Sequence, residues 1–296
     1  MSSKVKVGVI GVGHMGRLHL KKLLSDPLAE VIGAVEPDVA KRVGLEREFP
    51  IRVFGSVSEI LFEADAVVIA APTSAHYRLA KQAFEAGVDV LVEKPATASV
   101  EETEELCKLA ESRERIFQVG LLERYRLDIH LPLPAPSFLS IRRYTEKVGR
   151  EPAVDVVNDL MIHDLDLLLT AFQEEPIEVD ASGWQTVSPT SDLVHAWFRF
   201  PSGRRAFLAA SRVSTQGERR LDWCSPQGQF TLSLQSEFDA LAAQTRKFLE
   251  NVSLRRKPHV DGWAGLQCQR LADRVLAALQ SSPYRPQKGR EAVHEV

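Results

Sequence analysis

Cysteine is scarce in this chain of 296 residues: Cys107, Cys224 and Cys268 are few, odd in number and unpatterned. That spacing offers no disulfide framework and suits a reducing cytoplasm, with the three thiols read as small core side chains. No apolar run approaches the about 20 residues that a membrane helix needs. The opening Met1-Ser2-Ser3-Lys4 has no signal-peptide apolar core, so the expected location is cytoplasmic. Neither sign of charge dominates: Lys and Arg number 37, Asp and Glu 40, and the net charge of −3 argues against nucleic acid as a bulk partner. There is no internal repeat and no low-complexity tract. What remains is ordinary globular composition, 44% hydrophobic and 26% charged, in a chain whose length suits two domains.

Glycine is placed with more purpose. The stretch Val5-Lys-Val-Gly-Val-Ile-Gly11-Val-Gly13-His14-Met15-Gly16 reads as a buried strand, a glycine-rich turn and the start of a helix. A lone GxGxxG is weak. Here a strand precedes it, a helical pattern follows it (Leu18, Leu20, Leu23, Leu24), and the acidic Glu36 ends the next apolar strand. That context is the fingerprint of a dinucleotide site, with Glu36 on the adenosine ribose and NAD preferred over its 2′-phosphorylated form. Further on, Val88–Val92 runs into Glu93-Lys94-Pro95. A lysine at the carboxyl end of a later strand of such a sheet points into the ligand crevice.

The first half alternates strands with helices. Helices are expected at about 37–48, 75–86 and 100–112, strands at 64–71, 88–92 and 115–120, and Ser99 and either Thr73 or Ser74 as helix caps. Near-continuous apolar strands between helices mean a parallel sheet covered on both faces, over residues 1–120. After Gly120 the pattern changes. Leu131–Pro136 reads as an extended linker, Ser137–Glu146 as a strand, and Val154–Phe172 as a helix. Four extended segments follow, at about 176–188, 192–201, 204–214 and 219–234, with turn signals at Pro201-Ser-Gly203 and Pro226-Gln-Gly228. Strands without intervening helices imply an antiparallel sheet. Two helices, at about 236–251 and 261–281, and a weakly held tail over 282–296 complete a second domain over 121–296. The fold class is therefore α/β: an N-terminal Rossmann domain with a doubly wound parallel sheet, followed by an α+β domain with a mostly antiparallel open sheet.

A second constellation is Asp159-Leu-Met-Ile-His163, whose spacing of four puts both side chains on one helical face. Such a pair serves as orienter and acid/base, binds metal, or decorates a solvated face. The metal reading lacks further cysteine or histidine at ligand spacing, so no metal is assigned. A hydride-transfer site next door would need an acid/base, which favours the catalytic reading.

These residues carry a resemblance. GVIGVGHMGRLH (8–19), AAPTSAHYRLAKQAFEAGVDVLVEKP (70–95) and DLMIHDLDLLL (159–169) together resemble the glucose–fructose oxidoreductase / inositol dehydrogenase (Gfo/Idh/MocA) family over nearly the whole chain. The resemblance implies NAD as cofactor and Lys94, Asp159 and His163 as catalytic residues. It also implies a second-domain sheet used for oligomer contacts, in a homodimer or homotetramer. Cofactor contacts are expected from Gly11, Gly13, His14, Met15, Gly16, Glu36, Ala71, Pro72, Thr73, His76, Glu93 and Lys94. Arg124, Tyr125, Tyr144, Arg150, Asn158 and His163 are the candidate substrate contacts, the guanidinium groups suiting a nucleotide diphosphate. More narrowly, DLMIHDLDLLL, Ser191–His195 and Ala210–Ser214 with Arg219-Arg220-Leu221 are similar to the short members that oxidise UDP-N-acetylglucosamine at C3, supplying an aminotransferase in lipid A synthesis. Those members commonly carry Glu-Arg-Phe-Asn-Pro where this chain has Glu123-Arg-Tyr-Arg-Leu127. The alternatives are a dehydrogenase of another sugar or cyclitol, and a non-catalytic NAD(H)-binding sensor that signals through a partner.

Overall fold

Glycine turns and amphipathic helices fold the first part of the chain around a parallel sheet. The computed structural model describes residues 4–127, 136–146, 154–235 and 237–281. In chain order the first elements are β1 (Val5–Ile10), α1 (His14–Leu24), β2 (Ala29–Val35), α2 (Val39–Glu48), β3 (Val53–Phe54), α3 (Val57–Leu61), β4 (Ala66–Ile69), α4 (Thr73–Glu85), β5 (Asp89–Val92), α5 (Val100–Ser112), β6 (Phe117–Val119) and α6 (Glu123–Leu127). The six strands lie in the order β3-β2-β1-β4-β5-β6 and every pairing is parallel. This is the doubly wound dinucleotide-binding order, whose direction of winding reverses between β1 and β4. All residues of β4 and β5 are buried, as a sheet covered on both faces requires.

The second part comprises β7 (Phe138–Glu146), a π-helical turn (Val157–Met161), α7 (Ile162–Phe172), β8 (Glu178–Trp184), β9 (Leu193–Arg199), β10 (Arg205–Ser214), β11 (Glu218–Ser225), β12 (Gly228–Ser233), α8 (Ala240–Leu254) and α9 (Gly262–Ser281). Its six-stranded sheet runs β12-β11-β7-β10-β9-β8, antiparallel throughout except where β10 lies parallel to β7. Strand alternation sends Leu139, Ile141, Val194, Ala196, Leu208 and Ala210 to one face, where they pack with Val157, Met161, Leu165 and Leu168. The segment expected over 219–234 folds back at Pro226-Gln227, pairing Ser225 with Gly228.

The chain separates into two compact units, one of 1–125 with 239–267, the other of 126–238 with 268–296. This differs from a boundary at residue 120 with everything later in the second domain. The reason is α8: its buried Phe248, Leu249 and Val252 join Val5, Val7, Leu20, Leu23 and Ile116 in the first unit's core. Full burial of such a side chain contributes about 1.5–3 kcal/mol. Lys22 and Asp26, at the end of α1 and just after it, pair with Asp239 at 2.5 Å and Arg246 at 2.8 Å, reinforcing that docking at its rim.

Other departures are local. β3 and α3 span two and five residues, too short for any periodic pattern. α4 begins at Thr73 behind Pro72, with no side-chain cap from Thr73 or Ser74, whereas Ser99 Oγ does accept the Glu102 N–H. The 154–172 helix is two structures, the π-helical turn and α7. Of the expected linker, residues 131–135 lie outside the described residues, as do Arg150 and the 282–296 tail.

Candidate active site

The first unit presents a nucleotide-binding edge at the carboxyl ends of its strands. Gly11, just past β1, adopts φ +89°, the left-handed region that glycine alone enters freely. A Cβ on Gly11 would sit 2.6 Å from the Ala71 backbone nitrogen, so glycine is what lets the β1 and β4 ends approach. Gly16 presses on the Gly11 carbonyl, where a Cβ would come within 2.0 Å of the oxygen. Gly13 is the opposite case: an added Cβ meets nothing within 4 Å. The space over Gly13 opens at the N-terminus of the 11-residue α1, where free N–H groups and the helix dipole could hold a pyrophosphate. His14 and Met15 begin that helix, exposed and half-buried respectively.

Glu36 follows β2. Its carboxylate accepts the Asp38 N–H at 3.0 Å, and Asp38 in turn caps α2. A carboxylate has roughly four acceptor sites, so a ribose diol still finds partners there. After β4, Ala71, Pro72 and Thr73 make the turn into α4. His76 is buried, with Nε2 2.8 Å from the Ala71 carbonyl and Nδ1 3.0 Å from the Pro95 carbonyl. Its ring therefore clips the β4–α4 turn to the loop carrying Lys94, and faces main chain rather than the crevice.

Glu93 is also turned inward. Its Oε1 lies 2.7 Å from His19 Nε2 and its Oε2 accepts the Lys94 N–H at 3.2 Å. Burial works to raise this carboxyl, but the hydrogen bond and charge of His19 and the N–H and charge of Lys94 outweigh it and hold it below the usual carboxylate range. Lys94 itself is half-buried at the end of β5, and its bond to Pro95 is cis.

The second unit carries the acid/base candidates. Asp155 accepts the N–H groups of Val157 and Asn158, each at 2.9 Å, and the Asn158 side-chain amide at 3.0 Å. Asn158 is thus part of a cap. Asp159 lies within the π-helical turn and His163 in the first turn of α7, so the offset of four crosses a change of helix type. Turns of this kind are rare and concentrate at functional sites. The next residue, Asp164, is fully buried and receives a forked bond from Arg143 of β7, at 3.0 Å from Nε and 2.7 Å from Nη2. Among the described residues no group of three or more His, Cys, Asp or Glu side chains is placed to hold a metal ion.

The remaining expected substrate contacts are divided between the two units. Arg124 donates to the His259 carbonyl at 2.8 Å and Tyr125 is buried, both in the first unit. Tyr144 alternates with Arg143, so it shares the sheet face of Ser140 and Arg142, away from the packed face against α7. Burial raises its phenol pKa, aided by the charge of Glu218 and opposed by that of Arg142.

Comparison with known proteins gives the family. The family model described as "Oxidoreductase family, NAD-binding Rossmann fold" matches residues 5–121, and the GFO/IDH/MocA C-terminal domain matches residues 119–233. The chain belongs to the Gfo/Idh/MocA family. It is an enzyme, an NAD-dependent oxidoreductase. It is 32% identical to the UDP-N-acetylglucosamine 3-dehydrogenase of Acidithiobacillus ferrooxidans, over 94% of this chain and 98% of that protein. The solved structure of that enzyme superposes with a TM-score of 0.86, covering 93% of this chain and 97% of the other. The scyllo-inositol 2-dehydrogenase (NAD(+)) of Bacillus subtilis is 28% identical over 73% of this chain and 70% of its own. The scyllo-inositol dehydrogenase of Lactobacillus casei, solved with NAD(H) and scyllo-inositol, shares the fold at a TM-score of 0.85 and 18% identity, over 94% of this chain and 97% of that one.

For a Gfo/Idh/MocA enzyme the first unit's edge fits NAD on its own geometry: the open space over Gly13, the N-terminus of α1 and the Glu36 carboxylate. Several residues that build these edges escape a reading of the sequence. His19, three residues after Gly16, looks like any residue on the buried face of α1. Arg143 and Asp164 are 21 apart, on a strand and a helix, and only the fold joins them.

Proposed function

We propose that this Gfo/Idh/MocA enzyme oxidises a sugar hydroxyl with NAD, and that the hydroxyl is at C3 of UDP-N-acetylglucosamine. The observation that carries the reading is the 32% identity, over nearly the full length of both chains, to an enzyme of that name. The sequences around Asp159–Leu169 and Ala210–Ser214 support it.

NAD supplies the hydride acceptor when bound. The protein's own part is to hold the cofactor and to take the hydroxyl proton. Gly11, Gly13, Gly16 and Glu36, with the α1 N-terminus, would hold the pyrophosphate and ribose. Either the His163 ring or Lys94 Nζ accepts the single hydroxyl proton, and Asp159 orients the acceptor or stabilises its charged form. Loss of hydride from carbon and of the proton from oxygen leaves a ketone, one NADH and one proton. The nucleotide moiety of the substrate supplies binding energy remote from the reacting carbon, which positions the hydroxyl. The same reading expects a homodimer or homotetramer, and an aminotransferase that consumes the 3-keto sugar on the way to an amino-sugar lipid A.

The test incubates the full chain with NAD, UDP-N-acetylglucosamine, a 3-aminotransferase and glutamate, following NADH absorbance and the mass of the amino-sugar product. NADH formation with a 3-amino product supports the reading. Turnover of a free sugar or cyclitol, with none of the nucleotide sugar, would replace it with the cyclitol dehydrogenase reading favoured by the Bacillus relative. NADH binding without any turnover, changing association with a second protein, would favour a sensor.

A further inference from the structure

Two segments of the second unit, Ser191–His195 and Ala210–Ser214, have no chemical role in the reading above. The structure joins them through one buried ion pair. Asp192, with no exposed surface, and Arg212, 5% exposed, meet at 3.0 Å through Arg212 Nε. The Asp192 carboxylate also gathers the N–H groups of Thr186, Val187 and Ser188, at 2.7, 2.7 and 3.2 Å, and the Ser188 hydroxyl at 2.5 Å. Burial would raise this carboxyl, but these hydrogen bonds hold it well below its ordinary value. The Arg212 guanidinium spends its other donors on the Ser188 and Thr190 hydroxyls, each at 2.8 Å, on the Ser191 carbonyl at 3.2 Å, and on the Val154 carbonyl.

The Val154 contact gives the cluster a direction. Val154 lies just ahead of the π-helical turn, and the Val156 N–H reaches back to the Ser191 carbonyl at 3.2 Å. Asp155, between them, caps that turn. On its far side, Asp164 is fastened to Arg143. The segment bearing Asp159 and His163 is therefore suspended between two buried Arg–Asp pairs, one on each flank. A π-helical turn gives up regular i→i+4 bonding, so its persistence depends on fixed ends.

We infer that Arg212 and Asp192 are positioning residues for the Asp159–His163 pair: they anchor the chain ahead of the π-helical turn and so set the placement of the two acid/base side chains. The catalytic meaning of this role rests on the proposed function, but the anchoring is measurable without it. Only a forked guanidinium reaches Asp192, two hydroxyls and two carbonyls together, so lysine is a poor replacement.

The experiment compares wild-type full-length protein with Arg212→Lys and Asp192→Asn, by amide hydrogen exchange, NADH titration and steady-state kinetics. Exchange of the 157–163 amides should rise about tenfold or more, while the 165–172 amides, beyond Asp164, stay near wild type. NADH affinity, set by the first unit, should stay within about twofold. On the turned-over sugar, kcat should fall by roughly 10²-fold, as a displacement of about 1 Å does, with a smaller change in KM. Arg212→Lys keeps the charge and should fall short of the full loss in Asp192→Asn. Unchanged exchange in 157–163 in either folded variant would overturn the inference, as would a uniform rise across the second unit, which signals lost stability alone. If Asp192→Asn does not fold, Arg212→Lys decides. If the wild type turns over no sugar, the proposed function fails while the exchange result still settles the anchoring.

Discussion

His19 and Glu93 meet at 2.7 Å, the first fully buried on α1 and the second 8% exposed at the end of β5. The helix that follows the glycine loop is thereby tied to the residue preceding Lys94. Removing His19 leaves the buried Glu93 carboxylate without this hydrogen-bond partner, which costs about 1–3 kcal/mol. His19→Leu should lose that much in urea denaturation at pH 7. The pH dependence has a definite sign. The folded-state pKa of Glu93 is lowered, so its contribution is complete above the unfolded value and fades as pH falls through the folded one. The stability gap between wild type and Glu93→Gln should therefore narrow as the solution is acidified below the ordinary carboxylate range. A gap that widens on acidification would contradict this assignment.

The glycines of the loop differ in what they tolerate. Gly13→Ala meets no protein atom, so apo stability should stay within about 0.5 kcal/mol while NADH binding weakens, because the methyl fills the space we assign to the pyrophosphate. Gly16→Ala collides with the Gly11 carbonyl and should destabilise the apo protein by about 1–3 kcal/mol as well as weaken NADH binding. Thermal melts with and without NADH separate the two. Equal melting losses in both variants would remove the assigned difference.

Glu36 should set the cofactor preference. Its carboxylate accepts hydrogen bonds from a ribose diol and repels a 2′-phosphate. Glu36→Ser should cut the NADH over NADPH preference by about tenfold, or about 1.4 kcal/mol, in fluorescence titrations. A wild-type protein that binds NADPH more tightly than NADH would overturn it.

How much of this was legible in the sequence follows from how local each feature is. The glycine loop, Glu36 and Glu93-Lys94-Pro95 are short segments whose meaning lies in their own neighbourhood, so they map directly onto the carboxyl edge of the first sheet. Strand and helix alternation is also local, and both sheets came through in outline. What failed was non-local. α8 reads as a helix from its own residues, but nothing in them says that Phe248 packs with Val5 and Leu20. The π-helical turn keeps the spacing of an ordinary helix in sequence, so Asp159 and His163 looked like a simple i, i+4 pair. Which face of β7 packs on α7, and hence that Tyr144 lies on the other one, is also beyond a local reading, since a shift of one residue along a strand reverses it. Nothing local in the sequence marks Arg143, Asp164, Asp192 and Arg212 as buried, because charged residues usually lie at the surface, and only their pairing explains their burial.

The Arg143–Asp164 fork gives a direct stability test. Both side chains are buried, so Asp164→Ala should cost about 3–5 kcal/mol, with a lower melting temperature. Arg143→Met with Asp164→Leu, which removes both charges together, should recover part of the loss, because well-packed apolar residues often replace a buried pair at little cost. A double variant no more stable than Asp164→Ala would show that the fork does more than neutralise Arg143.

The acid/base assignment is tested by Lys94→Ala, Asp159→Asn and His163→Ala. Lys94 follows β5 in the first unit, and Asp159 and His163 flank the change from π-helical turn to α7 in the second. None belongs to the glycine loop or to Glu36, so NADH affinity should stay within about threefold, less than 1 kcal/mol. Loss of a positioned acid or base typically costs about 10²–10⁴-fold in rate, and each variant should lose turnover on that scale. If Lys94 and His163 divide the work, with one taking the proton and the other orienting the hydroxyl, the double variant should lose less than the product of the two single losses, since groups acting as a unit are not additive. The assignment fails if all three single variants are folded, bind NADH and turn over the true substrate near the wild-type rate.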